Sequence, residues 1–242
     1  MSLLDDARLA RAIADAAGEL LLRVQTEGAD GDRGDREANR LILDMLHDAR
    51  PDDPILSEES ADDPVRLIAR RVWIVDPLDG TREFAEGRED WAVHIALAID
   101  GAPAVGAVAL PRRGITLSTD APPPLRPAVS PPRMLVSRSR PSKLCASVSR
   151  TLPADTIGMG SAGAKAMAVV LGEAEIYLHS GGQHQWDNCA PAAVALAAGL
   201  HASRIDGSPL VYNEEPTSIP DLLICRRELA ESVLELVASH EK

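Results

Sequence analysis

Apolar residues recur every three or four positions at the start of the chain, a spacing typical of amphipathic helices. This spacing covers residues 3–24 and again residues 38–46, and Pro51 predicts that the second helix ends after Arg50. Residues 27–34, which are rich in glycine and aspartate, are predicted to form a loop between the two helices. The chain is therefore predicted to begin with two helices, each with one apolar face.

The pattern then changes to short apolar runs, which predict β-strands. In the first half of the chain these runs cover residues 54–57, 71–75, 91–99, 104–110 and 115–118. Asp100-Gly101 predicts a tight hairpin between the third and fourth of them. Strands joined in this way favour an antiparallel sheet.

In the second half, short strands alternate with helices, a pattern that favours a parallel sheet. The predicted strands cover residues 134–136, 155–157, 174–179, 202–205 and 222–225. The predicted helices cover residues 141–151, 162–171, 187–198 and 227–238. Between the halves, residues 121–132 contain six prolines, which predicts a connecting segment. We therefore predict an α/β fold with an α+β part with an antiparallel sheet, residues 1–128, and an α/β part with a mostly parallel sheet, residues 129–242.

The 242-residue chain carries 25 Lys and Arg against 37 Asp and Glu, a formal net charge of −12. This charge argues against a nucleic-acid-binding scaffold and against adhesion to an anionic membrane, because both rely on Lys and Arg. It leaves open a small phosphorylated ligand, if metal ions supply positive charge locally. We expect no transmembrane helix and no signal peptide. Cys145, Cys189 and Cys225 are widely spaced, which predicts buried or incidental thiols in a cytoplasmic protein rather than disulfides or a zinc cluster.

The segment most informative about a possible functional site is Asp76-Pro77-Leu78-Asp79-Gly80-Thr81, which follows an apolar strand. Its proline and glycine predict a tight turn, in which both carboxylates and the Leu78 carbonyl can face one point. Hard oxygen ligands arranged in this way suit Mg²⁺. The backbone N–H groups of Gly80 and Thr81, at the start of a predicted helical turn, suit an anion. An aspartate-capped turn before a short helix would explain the same residues without a metal.

Three further acidic residues extend this pattern. Glu58 stands beside Glu59 at the end of a short strand, Asp35 precedes the second helix, and Asp187 precedes an alanine-rich helix. A solvated acidic pair would explain Glu58, and helix N-capping would explain Asp35 and Asp187. Spacing alone does not decide between these interpretations and a metal site.

The order of these segments resembles that of a known family. Glu58-Glu59, the segment from Asp76 to Thr81, and Trp186-Asp187 with the alanine-rich helix resemble motifs of the Mg²⁺-dependent, lithium-sensitive phosphatase superfamily that includes the inositol monophosphatases. The resemblance covers nearly the whole chain. It implies the layered α/β fold of that superfamily and hydrolysis of a phosphate monoester.

The same resemblance implies roles for individual residues. Two or three Mg²⁺ ions would be bound by Glu58, Asp76, the Leu78 carbonyl, Asp79 and Asp187. Gly80 and Thr81 would hold the scissile phosphate through their backbone N–H groups. Thr81 and Asp35, with Glu58, would position and deprotonate a metal-bound water, which would attack without a covalent enzyme intermediate.

Two further segments resemble one branch of the superfamily, the 3′(2′),5′-bisphosphate nucleotidases of actinobacterial type. They are Leu135-Val136-Ser137-Arg138-Ser139 and Gly160-Ser161-Ala162-Gly163-Ala164-Lys165. This branch implies removal of the 3′-phosphate of adenosine 3′,5′-bisphosphate, a by-product of sulfate assimilation, with substrate contacts from Ser161, Lys165 and Asp187. Arg140 stands where many members have histidine, so activity on inositol phosphates or fructose 1,6-bisphosphate stays an alternative. The resemblance is compatible with a homodimer.

Two weaker signals point to other chemistry. Residues 158–163 read Gly-x-Gly-x-x-Gly between a strand and a helix, the context of a dinucleotide site in an NAD-dependent oxidoreductase. No acidic residue follows at the expected distance of about 20 positions, and tight strand-to-helix packing explains the glycines as well. His179, His184 and Asp187 lack the regular spacing of a zinc site, so loop histidines are favoured.

Overall fold

The structure of the protein is a computed structural model that describes residues 2–28 and 30–240. In chain order its helices are α1 (Leu3–Thr26), α2 (Gly31–Ala49), α3 (Thr81–Ala85), α4 (Lys143–Thr151), α5 (Ala162–Val170), α6 (Gln185–Ala197) and α7 (Arg227–His240). Its strands are β1 (Ile55–Ser57), β2 (Arg71–Asp79), β3 (Ala92–Ile99), β4 (Ala102–Leu110), β5 (Ile115–Ser118), β6 (Arg133–Ser137), β7 (Asp155–Met159), β8 (Ile176–His184), β9 (His201–Ser203) and β10 (Ser218–Cys225). Each helix and strand predicted from the sequence has a counterpart among them, although several ends differ.

The first sheet has the strand order β1-β2-β3-β4-β5, with β1 and β2 parallel and the other neighbours antiparallel. Helices α1 and α2 pack on one face and α6 packs on the other. Along β2, Trp73 and Val75 belong to the apolar cluster under α1 and α2, whereas Val72 and Ile74 belong to the cluster under α6. Because both faces are covered, β2 appears in the sequence as a continuous apolar run rather than an alternating one.

The second sheet has the strand order β7-β6-β8-β10-β9. Strands β6, β7, β8 and β9 run in one direction, as the alternation of strands and helices predicts, and β10 runs in the opposite direction. Residues 204–217 lead from β9 to β10 without a helix, and β10 enters the sheet between β8 and β9. Two of the four strand pairs are therefore antiparallel, and the sheet is mixed.

Helices α5 and α6 form a central layer between the two sheets. One apolar cluster contains the small side chains of both helices together with residues from both sheets. Helices α4 and α7 cover the outer face of the second sheet. The order of layers is therefore α1 and α2, the first sheet, α5 and α6, the second sheet, and α4 and α7.

Helix α2 begins earlier than the sequence predicts. Its N-cap is Asp30, whose side chain accepts a 3.0 Å hydrogen bond from the backbone N–H of Arg33. Residues 31–34 are thus helical, and their prediction as loop was wrong. Gly31 serves close packing here, because a Cβ at this position would lie 2.2 Å from Cγ2 of Thr81. Asp35 lies inside the helix and does not cap it.

Three other expectations concern the whole chain. Residues 119–132 connect β5 to β6 without a helix or strand, but division of the chain at residue 128 stays a prediction because α5 and α6 pack against both sheets. Cys145, Cys189 and Cys225 are buried free thiols, as expected. Within the described residues, every helix is too short or too polar to cross a membrane.

Candidate active site

Strand β2 ends in the acidic segment, and a bulge brings its two aspartates to one side. Asp76 pairs with His94 of β3 and Asp79 pairs with Ala92, so three steps along β2 match two steps along β3. Residues three apart in a strand ordinarily face opposite ways, and the extra residue of a bulge reverses this. Pro77, which has no backbone N–H to donate, occupies the interruption.

Asp187 joins these two aspartates from the second half of the chain. Carboxylate oxygens of Asp76, Asp79 and Asp187 lie within 4.8 Å of one another. The Asp187 Oδ2 accepts a 2.6 Å hydrogen bond from the backbone N–H of His184. Asp187 is therefore not the N-cap expected from the sequence but the third residue of α6, because β8 continues through His184 to the start of that helix. The group contains neither His184 nor His179, so the zinc alternative finds no support in the described residues.

Glu58 follows β1, and the parallel pairing of β1 with β2 carries it to the same edge of the sheet. Its backbone N–H donates a 3.2 Å hydrogen bond to the Val75 carbonyl. Although Glu58 keeps contact with solvent, burial of its carboxyl, followed by the charge of Asp187, raises its pKa to about 7. A hydrogen bond with Asp76 acts in the opposite direction. Glu58 thus lies next to the aspartates.

The buried carboxylates repel one another. Burial, followed by Glu58 and Asp79, raises the pKa of Asp76 well above its ordinary value. Burial, followed by Asp79, raises the pKa of Asp187. Burial would also raise the pKa of Asp79, but contact with His94 and further hydrogen bonds outweigh it and lower that pKa to about 2. Oxygen donors that carry such an excess of negative charge fit a hard divalent cation such as Mg²⁺.

The metal-free protein should become more stable as the pH falls from about 8 to about 5.5. The pKa values of Asp35 and Glu58 are raised to about 7, so the folded state takes up protons more readily than the unfolded chain. His94 acts in the same direction, since Asp79 raises its pKa despite burial. Burial lowers the pKa values of His179 and His201, so these two histidines oppose the gain in stability at low pH.

We expect this fall in pH to add roughly 1–3 kcal/mol to the free energy of unfolding, measured by chemical denaturation in EDTA. Saturating Mg²⁺ should abolish the gain, because cations bind the ionised carboxylates. A stability that falls with pH in EDTA over this interval would contradict the expectation.

Thr81 and Asp35 form a second group beside the acidic cluster. Thr81 begins α3 directly after Gly80, whose φ of 95° is readily adopted only by glycine. The Thr81 hydroxyl lies 3.2 Å from Asp35 Oδ2 and 3.3 Å from the Leu78 carbonyl oxygen, so one proton has two acceptors. Burial, with neighbouring glutamates as the next cause, raises the pKa of Asp35 to about 7. The other oxygen of Asp35, Oδ1, is buried and has no hydrogen-bond partner among the described residues.

Ser161 and Lys165 belong to the start of α5, which lies beside the acidic cluster. The Ser161 hydroxyl donates a 2.5 Å hydrogen bond to Asp79 Oδ2. Lys165 is buried, and its ammonium donates to the carbonyls of Met159, Gly160 and Ser161 at 3.4, 3.2 and 2.5 Å. These bonds occupy all three ammonium protons, so Lys165 ties down the loop before α5.

A cleft of about 500 Å³ opens beside the acidic cluster. The expected site residues that line it are Asp79, Gly80, Thr81, Ser161, Lys165 and Asp187. Two exposed arginines, Arg82 and Arg140, line it as well. Arg138 pairs with two glutamates, but Arg140 forms no ion pair with any described residue. Burial lowers the pKa of His179, and the nearby charge of Arg140 adds to that effect.

His94 lies at the centre of this site and was not predicted from the sequence. It is fully buried in β3. Its Nδ1–H donates a 3.0 Å hydrogen bond to the Trp186 carbonyl, and its Nε2 lies 3.2 Å from Asp79 Oδ2. This contact does not have the geometry of a hydrogen bond, and it becomes an ion pair when the imidazole is protonated. The feature of the sequence that could have indicated His94 is its position as the single polar residue in an otherwise apolar strand.

Two of the three glycines in residues 158–163 make room for side chains of this protein. A Cβ on Gly160 would lie 2.4 Å from Cδ of Glu83, and one on Gly163 would lie 2.0 Å from Nε2 of His94. These contacts support the packing interpretation of the glycine pattern. The dinucleotide site of an oxidoreductase is not needed to explain it.

Comparisons with known proteins show to which family the chain is similar. The model of the inositol monophosphatase family matches residues 8–242. A 3′-phosphoadenosine 5′-phosphate phosphatase from Mycobacterium bovis is 50% identical over 240 residues, covering 92% of this chain and 89% of that protein. The 3′(2′),5′-bisphosphate nucleotidase CysQ of Escherichia coli is 34% identical over 201 residues, covering 74% of this chain and 77% of that protein.

Solved structures agree with the fold. The crystal structure of CysQ from Bacteroides thetaiotaomicron, a bacterial member of the inositol monophosphatase family, has a TM-score of 0.79 at 26% identity and covers 92% of this chain and 97% of that chain. The inositol monophosphatase from Anabaena has a TM-score of 0.81 at 21% identity and covers 99% of this chain and 97% of that chain. The layered α/β fold implied by the sequence motifs is confirmed. From the family match and these relatives, the chain belongs to the inositol monophosphatase family.

Proposed function

We propose that the protein is a Mg²⁺-dependent phosphatase that removes the 3′-phosphate of adenosine 3′,5′-bisphosphate and releases AMP and phosphate. The observation that carries the proposal is the group of Asp76, Asp79 and Asp187 beside the Thr81–Asp35 pair, with Asp79, Thr81 and Asp187 lining one cleft. The choice of nucleotide is supported by the name of a relative that is 50% identical, a 3′-phosphoadenosine 5′-phosphate phosphatase. The role of the present protein would be to remove a by-product of sulfate assimilation in the cytoplasm.

The metal ligands in this proposal are all oxygen donors, the type that Mg²⁺ prefers. Two or three ions would be held by Glu58, Asp76, the Leu78 carbonyl, Asp79 and Asp187. When bound, Mg²⁺ would offset the negative charge of the site, lower the pKa of water and stabilise charge on the phosphate. The Mg²⁺ ions that these carboxylates would bind would allow a protein with a net charge of −12 to accept an anionic substrate.

Asp35 would take the proton of the attacking water, with the Thr81 hydroxyl orienting that water. Asp35 Oδ2 faces Thr81, and the buried Oδ1 has an unused acceptor position. A carboxyl with a pKa of about 7 can gain and lose a proton near neutrality, as general base catalysis requires. The backbone N–H groups of Gly80 and Thr81 would hold the scissile phosphate.

The 5′-phosphate would bind in the part of the cleft lined by α5 and by the loop after β6. The protons of Ser161 and Lys165 are engaged by protein acceptors, so both residues would shape the loop, and the Lys165 ammonium would add a positive field. The guanidinium of Arg140 has no carboxylate partner in the described part of the chain and can donate two parallel hydrogen bonds. We therefore assign the direct contact with the 5′-phosphate to Arg140.

The proposal is tested by comparing substrates at one fixed Mg²⁺ concentration. We expect kcat/KM to be highest for adenosine 3′,5′-bisphosphate, when it is measured beside inositol 1-phosphate and fructose 1,6-bisphosphate. Preference for either of these two other substrates would be compatible with the proposed metal site but would contradict the proposed choice of substrate.

Arg140→Ala should lower kcat/KM for adenosine 3′,5′-bisphosphate about 10–100-fold, since a hydrogen bond to a charged group contributes about 1.5–3 kcal/mol. Adenosine 3′-monophosphate, which lacks the second phosphate, should be affected less than about threefold. Arg82→Ala, which removes another exposed arginine of the same cleft, serves as the matched control. Equal losses on both nucleotides would show that Arg140 does not recognise the 5′-phosphate.

A further inference from the structure

We infer that His94 is a positioning residue that sets the distance between Asp79 and the turn of Trp186 and Asp187, and thereby the Mg²⁺ affinity of the site. The inference rests on the metal site proposed above and adds a residue that is not one of its ligands. His94 is fully buried, so both of its ring nitrogens need polar partners. Those partners come from the two halves of the chain.

The imidazole ring contacts both halves at once. Its Nδ1–H donates a 3.0 Å hydrogen bond to the carbonyl of Trp186, the residue before Asp187. Its Nε2 lies 3.2 Å from Asp79 Oδ2 at the end of β2. Because the ring is rigid, the first turn of α6 cannot move away from Asp79 without losing one of these contacts.

The ring also influences which oxygen Asp79 presents to a cation. Oδ2 accepts hydrogen bonds from the Ser161 hydroxyl at 2.5 Å and from the Gly163 N–H at 2.6 Å, in addition to its contact with His94. No described residue donates a hydrogen bond to Oδ1 of Asp79. Oδ1 is therefore the oxygen left for a metal ion, and His94 helps to hold it in that direction.

The first turn of α5 provides the space that the ring occupies. A Cβ on Gly163 would lie 2.0 Å from Nε2 of His94, so alanine at this position must displace the imidazole. The Gly163 N–H that donates to Asp79 would remain. Gly163→Ala therefore moves His94 without changing its chemistry.

The test measures Mg²⁺ binding without substrate, by isothermal titration calorimetry and by the rise in Tm that Mg²⁺ produces. In His94→Ala and in Gly163→Ala we expect the Mg²⁺ dissociation constant to rise about 10–100-fold, the usual effect of losing a residue that orients a metal ligand. The Mg²⁺ concentration for half-maximal activity should rise by the same factor. At saturating Mg²⁺, kcat should return to within about threefold of the wild-type value.

His94→Gln, whose amide nitrogen can take the place of Nε2, should recover about tenfold of the affinity lost in His94→Ala. His201→Gln makes the same change on β9, where the ring forms a hydrogen bond with the Ser203 hydroxyl, and should leave Mg²⁺ affinity unchanged. If His94→Ala does not fold, Gly163→Ala carries the comparison, and His94→Gln is compared with the wild type, whose Mg²⁺ affinity it should match to within about tenfold. Wild-type Mg²⁺ affinity in Gly163→Ala, or no recovery in His94→Gln, would overturn the role of His94. Failure of the wild-type protein itself to bind Mg²⁺ would instead overturn the proposed metal site, and this inference with it.

Discussion

In Asp76→Asn, kcat/KM is expected to fall about 10³-fold while the local fold is kept. Asparagine has nearly the same size, and its Oδ1 can still accept the 3.0 Å hydrogen bond from the Leu78 N–H. The substitution removes a negative charge from the proposed metal site. A loss of about 4 kcal/mol of charge stabilisation corresponds to about 10³ in rate, since each tenfold change is about 1.36 kcal/mol.

The same substitution should stabilise the metal-free protein. Burial, followed by the charges of Glu58 and Asp79, raises the pKa of Asp76, which means that its ionised form destabilises the fold. A neutral side chain removes that penalty, and we expect the free energy of unfolding in EDTA to rise by about 1–2 kcal/mol. Denaturation with and without Mg²⁺ checks this, because the stabilisation by Mg²⁺ should shrink in the variant.

Asp6→Asn is the matched control for this pair of effects. Asp6 is fully buried in the same half of the chain, but it pairs with Arg50 at 2.8 Å and with Arg71 at 3.2 Å. Removing one partner of a buried ion pair costs about 3 kcal/mol, so this variant should lose stability and keep its kcat/KM. If Asp76→Asn behaved in the same way, Asp76 would be a structural aspartate and not a metal ligand.

The strand that carries Asp76 was predictable from the sequence, but its end was not. The run from Val72 to Val75 predicts a strand because both of its faces are buried. Pro77 suggests an interruption, and the pairing with β3 shows that the strand continues through a bulge to Asp79. Apolar periodicity does not reveal a bulge, since the bulge depends on the register with a neighbouring strand.

Strand β8 shows a second limit of periodicity. Its apolar part matches the predicted strand of residues 174–179, whereas the polar residues up to His184 are held in the sheet by pairing with β10. This extension moves the start of α6, and so changes Asp187 from an N-cap to the third residue of the helix. Propensity cannot indicate such an extension, because tertiary pairing determines it.

The assembly of the site was predictable only through the family motifs. The three segments that contain Glu58, Asp79 and Asp187 lie far apart in the chain, and no spacing rule brings them within reach of one another. His94 belongs to none of the motifs and stands in an apolar strand, where a satisfied core histidine is the usual explanation. The structure adds that its two ring nitrogens contact both sides of the site.

In Asp35→Asn, kcat is expected to fall about 10²–10⁴-fold, the usual contribution of a positioned general base. The asparagine oxygen can still accept a hydrogen bond from Thr81, but it cannot take up a proton. Asp35 is not one of the proposed metal ligands, so KM and the Mg²⁺ dissociation constant should stay close to the wild-type values. A large rise in either constant would instead indicate that Asp35 acts in binding.

Thr81 should belong to the same functional unit, because its hydroxyl lies between Asp35 and the Leu78 carbonyl. Thr81→Val should lose a comparable part of kcat, and Thr81→Ser, which retains the hydroxyl, should lose little. Groups that act as one unit give effects that do not add, so the double variant Asp35→Asn with Thr81→Val should be no slower than the slower single variant. If the two losses multiplied, Thr81 and Asp35 would act independently, and the proposal that Thr81 orients the water from which Asp35 takes a proton would have to be abandoned.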